Sequence, residues 1–403
     1  MSTLSAGAQA ASDVDLAIRN VRALVPGEGV VDADLAMSGE WIVDCSTAGT
    51  TGASTLEGNG LLALPGVVDL HGDAFERLLM PRSGVKFPVG VALAEVDRQL
   101  LANGITTAYH GITYSWEPGL RGRDTVVSVL EALEAIGTCL GCDTRVHLRH
   151  ELHNVDAEAE IQHWIRQGRI GLLALNDHLA MIEDRLDRAE KLSEYTERSG
   201  LNPSEYRALV ERMGQRSSEV PAVTERLCQA AVEAGLPIAS HDDETPAMRT
   251  RYRGMGAHLC EFPCNAETAR EAMESGESVI LGAPNILRGG SHDDRLNAGQ
   301  AVREGLCTAL ASDYYYPAAL HAAFQLHCEE VLDFPAAWDL VSGGGARAAG
   351  LSDRGQIAPG QRADVLLVDP DSALGPQVVA TIAGGQLVNY HDAAGCLRAH
   401  DVA

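Results

Sequence analysis

Residues 64–73, Leu64-Pro65-Gly66-Val67-Val68-Asp69-Leu70-His71-Gly72-Asp73, run on into Ala74-Phe75-Glu76-Arg77 and put a polar pair at the end of an apolar strand. Val67, Val68 and Leu70 read as a short buried strand, and Pro65-Gly66 punctuates its start. Side chains alternate along a strand, so Asp69, His71 and Asp73 face one side. A histidine and a carboxylate two residues apart at a strand end can hold one divalent cation together. The same pair also occurs as ordinary hydrogen-bonded polar residues, so the other strand ends have to decide between the two.

Working outward, the middle of the chain alternates apolar strands with helical stretches. Strands are predicted at Ile105–His110, Arg145–Glu151, Ile170–Asn176, Leu236–Ser240, His258–Phe262, Ser278–Gly282 and Thr308–Ser312. With the first this makes eight, over about the length that a (β/α)8 TIM-like barrel needs. A doubly wound open sheet is the alternative, but no glycine-rich phosphate loop follows the first strand. Residues 182–234 are charged and helix-forming and too long for one barrel helix. They read as an inserted excursion, either a lid or a solvated helical face. Short β-rich stretches at both ends, including residues 15–18, 34–37, 41–44, 363–368 and 378–385, suggest one small β-sandwich domain built from both termini. The expected division is 1–65, 66–345 and 346–403.

Composition narrows the function. The chain has 403 residues, 45% of them hydrophobic and 22% charged, with a net charge of −25. That acidity excludes nucleic acid and anionic membrane as expected partners, and an anionic small-molecule substrate would need local positive charge. Residues 1–20 have neither a basic start nor an apolar core, so no signal peptide is read there; residues 1–13 read as disordered and the location as cytoplasmic. The nine cysteines are scattered and odd in number, which suits a reducing compartment. Cys139 and Cys142 have CxxC spacing without a second pair and read as structural. The sequence leaves a homo-oligomer open.

Polar residues gather where strands end. His147, Arg149 and Glu151 alternate on one strand; Asp177-His178 ends the next, Ser240-His241-Asp242-Asp243 the one after, and Ser312-Asp313 the last. Barrel enzymes assemble their sites at this rim, and several metal-capable groups at successive strand ends are hard to explain as isolated polar residues.

With His71, Asp73, Glu151, His178, His241 and Asp313 in that order, the chain resembles the amidohydrolase superfamily. Within it, the chain is most similar to the diphosphatases of phosphonate breakdown that act on α-D-ribose 1-methylphosphonate 5-triphosphate. The matching pieces include Met80-Pro81-Arg82, His147-Leu148-Arg149, Ala239-Ser240-His241-Asp242-Asp243, Glu261-Phe262-Pro263 and the run from Leu281 to His292. The resemblance implies two divalent ions, Zn²⁺ or else Mn²⁺ or Fe²⁺. One is held by His71, Asp73 and Asp313, the other by His178 and His241, with Glu151 bridging. It implies Asp313 as the catalytic base and Lys86, Arg149, Asn285, Arg288, Ser291 and His292 as substrate-binding, for a phosphorylated small molecule from which pyrophosphate is released. Two stretches depart from the family pattern: Gly72 and Ala74 stand where it has Thr and Asn, and Leu179-Ala180-Met181-Ile182 stand where it has Ser-Pro-Gly-Gln. Hydrolysis of an amide or cyclic amide on the same ions is the alternative activity, and a non-catalytic binding subunit the alternative class.

Overall fold

The computed structural model describes residues 14–46, 53–290, 295–391 and 398–400. Five strands come first: β1 (Leu16–Val25), β2 (Gly29–Ser38), β3 (Trp41–Asp44), β4 (Ser54–Glu57) and β5 (Leu62–Pro65). Eight more form the barrel: β6 (Val67–Gly72), β7 (Ile105–Tyr114), β8 (Asp143–Glu151), β9 (Leu172–Asn176), β10 (Ile238–His241), β11 (Leu259–Glu261), β12 (Ser278–Gly282) and β13 (Ala309–Ala311). They pair in sequence order as one eight-stranded sheet, and every pairing is parallel. A parallel bridge between Gly72 and Asp313 brings the two edges together. The barrel reading therefore holds and the open doubly wound sheet does not. The second barrel strand runs on to Tyr114 rather than stopping at His110, and all its residues are buried. Such strands have helices on one side and barrel interior on the other, so both faces are covered.

Val68, Leu70, Tyr109, Leu172, Ala239 and Ile280 fill the barrel, while a larger core lies between strands and surrounding helices. The remaining strands are β14 (Val365–Asp369), β15 (Gln377–Ala383), β16 (Gln386–Tyr390) and β17 (Arg398–His400). Strands from both termini form the small β unit as expected, in one continuous nine-stranded and mostly antiparallel sheet. The join is β5 against β14, where Pro65 faces Val365. Gly66 leads straight from that pair into the barrel, and its N–H donates to Asp364 O at 2.9 Å. A Cβ there would stand 2.1 Å from Thr106 Oγ1, so no larger residue fits.

The stretch between β9 and β10 resolves into four helices: Leu179–Arg185, Ala189–Ser199, Pro203–Gly214 and Val220–Glu233. The last belongs to the barrel's helical layer, through Val220, Val223, Leu227 and Ala231. The first three are the insertion and have their own small core of Leu179, Ile182, Tyr195, Tyr206 and Val210. Glu117, buried in the loop after β7, clamps this unit in place. Its carboxylate accepts from Arg198 Nε at 2.8 Å and Nη2 at 2.6 Å and from the Tyr206 hydroxyl. The insertion is thus a packed, ion-paired wall rather than a solvated face.

Candidate metal centre

His71, at the end of β6, is fully buried, and one nitrogen of its ring lies within 4.8 Å of an oxygen from each of Asp73 and Asp313. A second group of the same kind is His178, His241 and Asp242, and a third is His71, His147 and Glu261. The rings link the groups: His71 and His241 stack with centroids 5.5 Å apart, and His178 meets His241 edge-on at 5.6 Å. Phe262 lies against both His71 and His241, at 5.0 and 5.3 Å.

Three strand ends reach this point by one backbone device. Asp242, Phe262 and Asp313 have φ of 60°, 53° and 55°, a left-handed bend that follows β10, β11 and β13. Each bent residue donates its N–H across to the neighbouring strand: Asp242 to Glu261 O, Phe262 to Ile280 O and Asp313 to His71 O, at 2.9, 2.9 and 2.8 Å. The ladder thereby gains one rung while the chain turns. Aspartate tolerates this conformation; in phenylalanine it is a strain of order 1–3 kcal/mol, and such strain gathers at functional sites.

Glu261 supports two of the histidines from beneath. It is fully buried, with Oε2 accepting from His241 Nδ1 at 2.8 Å and Oε1 standing 2.8 Å from His71 Nδ1. The second contact is off the line a hydrogen bond needs, and both His71 nitrogens, His147 Nε2 and Glu261 Oε1 lack hydrogen-bond partners. His147 donates from Nδ1 to Leu70 O at 2.8 Å, which fixes its ring. Buried polar atoms without partners are costly. Nitrogen and carboxylate donors left so at a barrel's rim fit a divalent transition ion.

Burial and neighbouring charges shift the protonation of these groups. Burial raises the Asp313 carboxyl, and the Asp73 charge beside it adds to this, to about 6. Burial works against ionisation of Glu151, but His178 and Arg149 outweigh it and bring the carboxyl down to about 2. His178 is pushed up to about 9, burial being outweighed by Glu151 and Asp242. Burial, helped by the charges of His71 and Arg149, keeps His147 neutral, lowering it to about 3 against the pull of Glu261. A metal ion entering beside His178 would take the place of a proton.

The sequence-predicted residues fall into three sets. His71, Asp73 and Asp313 meet as expected, and His178 and His241 meet with Asp242 added. Glu151 sits against His178, with Oε1 2.6 Å from Nδ1, and is outside the group around His71. Arg149 is buried between the two groups, with Nη1 3.2 Å from Asp73 Oδ2 and Nη2 3.4 Å from His241 Nε2. Gly111 makes room for it: a Cβ there would press on Arg149 Cδ at 3.2 Å and His71 Nε2 at 3.4 Å. Asn285 lines the cavity of about 310 Å³ over the centre, together with Arg185, Arg295 and Tyr314. Arg288 is turned to the Tyr314 hydroxyl at 3.1 Å, and Lys86 is exposed; neither lines that cavity. Ser291 and His292, like residues 1–13, lie outside the described residues. Sequence reasoning missed roles for His147, Asp242, Glu261, Arg185 and Arg295. For Glu261 a signal existed, a lone glutamate ending an apolar strand, but only pairing across strands gives it meaning.

The amidohydrolase family model matches residues 303–389, which run from just before β13 into the C-terminal strands. The α-D-ribose 1-methylphosphonate 5-triphosphate diphosphatase of Escherichia coli K12 is 29% identical over 357 residues, 87% of this chain and 94% of that protein. An adenine deaminase of Methylobacterium nodulans is 28% identical over 388 residues, 93% of this chain but only 58% of the deaminase. Among solved structures, N-isopropylammelide isopropylaminohydrolase from Burkholderia multivorans superposes over 93% of this chain and 97% of its own, with a TM-score of 0.63 at 20% identity. With the barrel and its ring of ligand-type residues, the family-model match and the E. coli likeness support the class: the amidohydrolase superfamily, a class of hydrolases. Within that class, the chain is similar over nearly its whole length to the E. coli diphosphatase.

Among the described residues, no helix is long and apolar enough to cross a membrane.

Proposed function

We propose that this protein is a metal-dependent hydrolase of a phosphoric anhydride, releasing pyrophosphate from α-D-ribose 1-methylphosphonate 5-triphosphate or a close relative. The observation that carries the reading is the likeness to the E. coli diphosphatase, which covers 87% of this chain and 94% of that protein. Arg149, Arg185 and Arg295 around the cavity support it, because a protein of net charge −25 needs local cations to receive an anion.

His71, Asp73 and Asp313 would hold one divalent ion, and His178 and His241, with Asp242 or Glu151, a second. Such ions acidify a bound water and polarise the phosphoryl oxygens. Asp313 accepts the proton of the attacking water at a carboxylate oxygen. Glu261 and Phe262 keep the imidazoles of His71 and His241 in place. Attack at the α-phosphorus breaks its bond to the bridging oxygen, and pyrophosphate leaves with that oxygen.

The adenine deaminase likeness supports a second reading, hydrolytic deamination at the same centre. Metal-loaded protein offered a 5-triphosphate ester and adenine in parallel, scored for pyrophosphate and for ammonia, separates the two. Ammonia without pyrophosphate rejects the diphosphatase reading.

A further inference from the structure

A cavity of about 240 Å³ lies between the insertion and the barrel, next to the metal centre. On the barrel side it is closed by Glu151, His178 and His241, all ligand candidates. Five cationic residues, Arg121, Arg149, Arg185, Lys191 and Arg198, line the rest together with the acids Glu117, Glu194 and Asp242. Lys191 pairs with Glu194 at 2.9 Å and Arg149 with Asp73 at 3.2 Å, and two further arginines serve the fold. Arg121 gives Nε and Nη2 to Glu76 at 3.1 and 3.0 Å, and Arg198 gives the same pair to Glu117. These forks fix the walls, and a guanidinium so fixed still has further donors. Arg185 and Arg149 also line the 310 Å³ cavity above His71 and Asp313, so the two spaces share these walls.

We infer that this side cavity is a binding compartment for a condensed phosphate, built by the insertion, in which Arg185 and Lys191 hold the pyrophosphate end of the substrate while Arg149 reaches it from the barrel. The inference rests on the hydrolase reading above and assigns its anion recognition to the inserted helices rather than to Lys86 and Arg288. Charge favours it: within a strongly acidic protein, this space sets five cations against four carboxylates and opens on the ligand-type histidines. Mechanics favours it too, since the Glu117 clamp and the small core hold Arg185 and Lys191 in position before substrate arrives. Position in the chain adds a third argument. Arg185 ends the helix that starts immediately after His178, so the segment that supplies a ligand-type histidine also supplies the cation beside it.

The test measures binding of inorganic pyrophosphate to the full-length, metal-loaded protein by calorimetry, in wild type, Arg185→Gln, Lys191→Gln and the double variant. Arg98→Gln, an exposed change of the same charge, is the control, and circular dichroism confirms folding of each variant. Arg185 and Lys191 are not core residues, so the variants keep the fold. Loss of a charge-assisted contact predicts affinity about ten- to a hundredfold weaker for Arg185→Gln, a smaller loss for Lys191→Gln, and no change for Arg98→Gln. Hydrolysis of the 5-triphosphate should show a raised KM with kcat largely kept. Wild-type protein that does not bind pyrophosphate overturns the inference, as does an Arg185→Gln, Lys191→Gln double variant that binds within about twofold of wild type. If pyrophosphate binding depends on Arg185 but no triphosphate ester is cleaved, the compartment stands and the diphosphatase reading falls. If the ester is cleaved with KM indifferent to both residues, the reverse holds.

Discussion

The N–H of Asp313 donates to the carbonyl of His71 at 2.8 Å, so the bond that brings the edges of the barrel together joins two residues of the candidate metal centre. Asp73 N–H returns the contact to Asp313 O at 2.9 Å. One step below, Asp69 accepts from Ser312 N at 2.9 Å and from Ser312 Oγ at 2.5 Å. Barrel closure and ligand placement are therefore one structural event, and weakening one should weaken the other.

Ser312→Ala removes the hydroxyl and leaves Asp69 Oδ2 buried without that donor. The cost should be about 1–3 kcal/mol in denaturant unfolding, with weaker metal binding in parallel. Gly72→Ala should act on the same clasp, since its Cβ would stand 2.9 Å from Asp69 Oδ2 and 3.2 Å from Ser312 Oγ. That crowding also gives a reason for glycine at this position. Unchanged stability and metal content in both variants would separate closure from the site.

Glu261→Gln keeps the shape but cannot offer two anionic oxygens to His71 and His241. Carboxylates that orient metal-bound histidines typically contribute about 10- to 100-fold in metal affinity. Competition with a chelator, read by elemental analysis, should show a loss of that size. Full metal retention would leave Glu261 without an orienting role.

Asp313→Asn should lower kcat about 10²- to 10⁴-fold, the usual worth of a general base. Only the ionised carboxylate accepts a proton, so wild-type rate should climb as pH rises through the region of its pKa. That value is raised to about 6 by burial and by Asp73, and a bound cation, favouring the charged form, moves the climb to lower pH. The variant should lack this acid limb. A near-normal kcat would remove Asp313 from the mechanism.

Asp143, at the start of β8, binds Arg145 Nη2 at 2.9 Å and Arg354 Nη1 at 2.6 Å, joining barrel to C-terminal segment. Burial opposes its ionisation, but the two arginines prevail and hold the carboxyl below its usual range. Its stabilisation is thus fully present above about pH 4 and is lost as pH falls through the lower folded-state value. Asp143→Asn should cost about 1–3 kcal/mol at neutral pH, and the gap to wild type should close in acid. A gap independent of pH would show that charge plays no part.

Much of the architecture was legible because it rests on local patterns. Apolar runs such as Val67–Leu70 and Ser278–Gly282 are covered on both faces wherever they sit in a barrel, so hydrophobicity alone marks them. The strand-end residues His71, Asp73, His178, His241 and Asp313 were legible for a related reason. Strand direction puts every C-terminal end on one rim, so residues far apart in sequence must meet there. What tertiary structure alone decided is which of those groups face one another. Glu151 turns to His178, Asp242 joins the histidines through a left-handed bend, and Glu261 lies beneath His71 and His241. The placement of positive charge was equally invisible. Arg185 lies in a charged helical stretch that by composition could have been a solvated face, and only the packing of the insertion on Glu117 turns it toward the site. Periodicity and strand ends are properties of neighbouring residues; ligand pairing and pocket charge depend on side chains brought together across the barrel by contacts that no local pattern encodes.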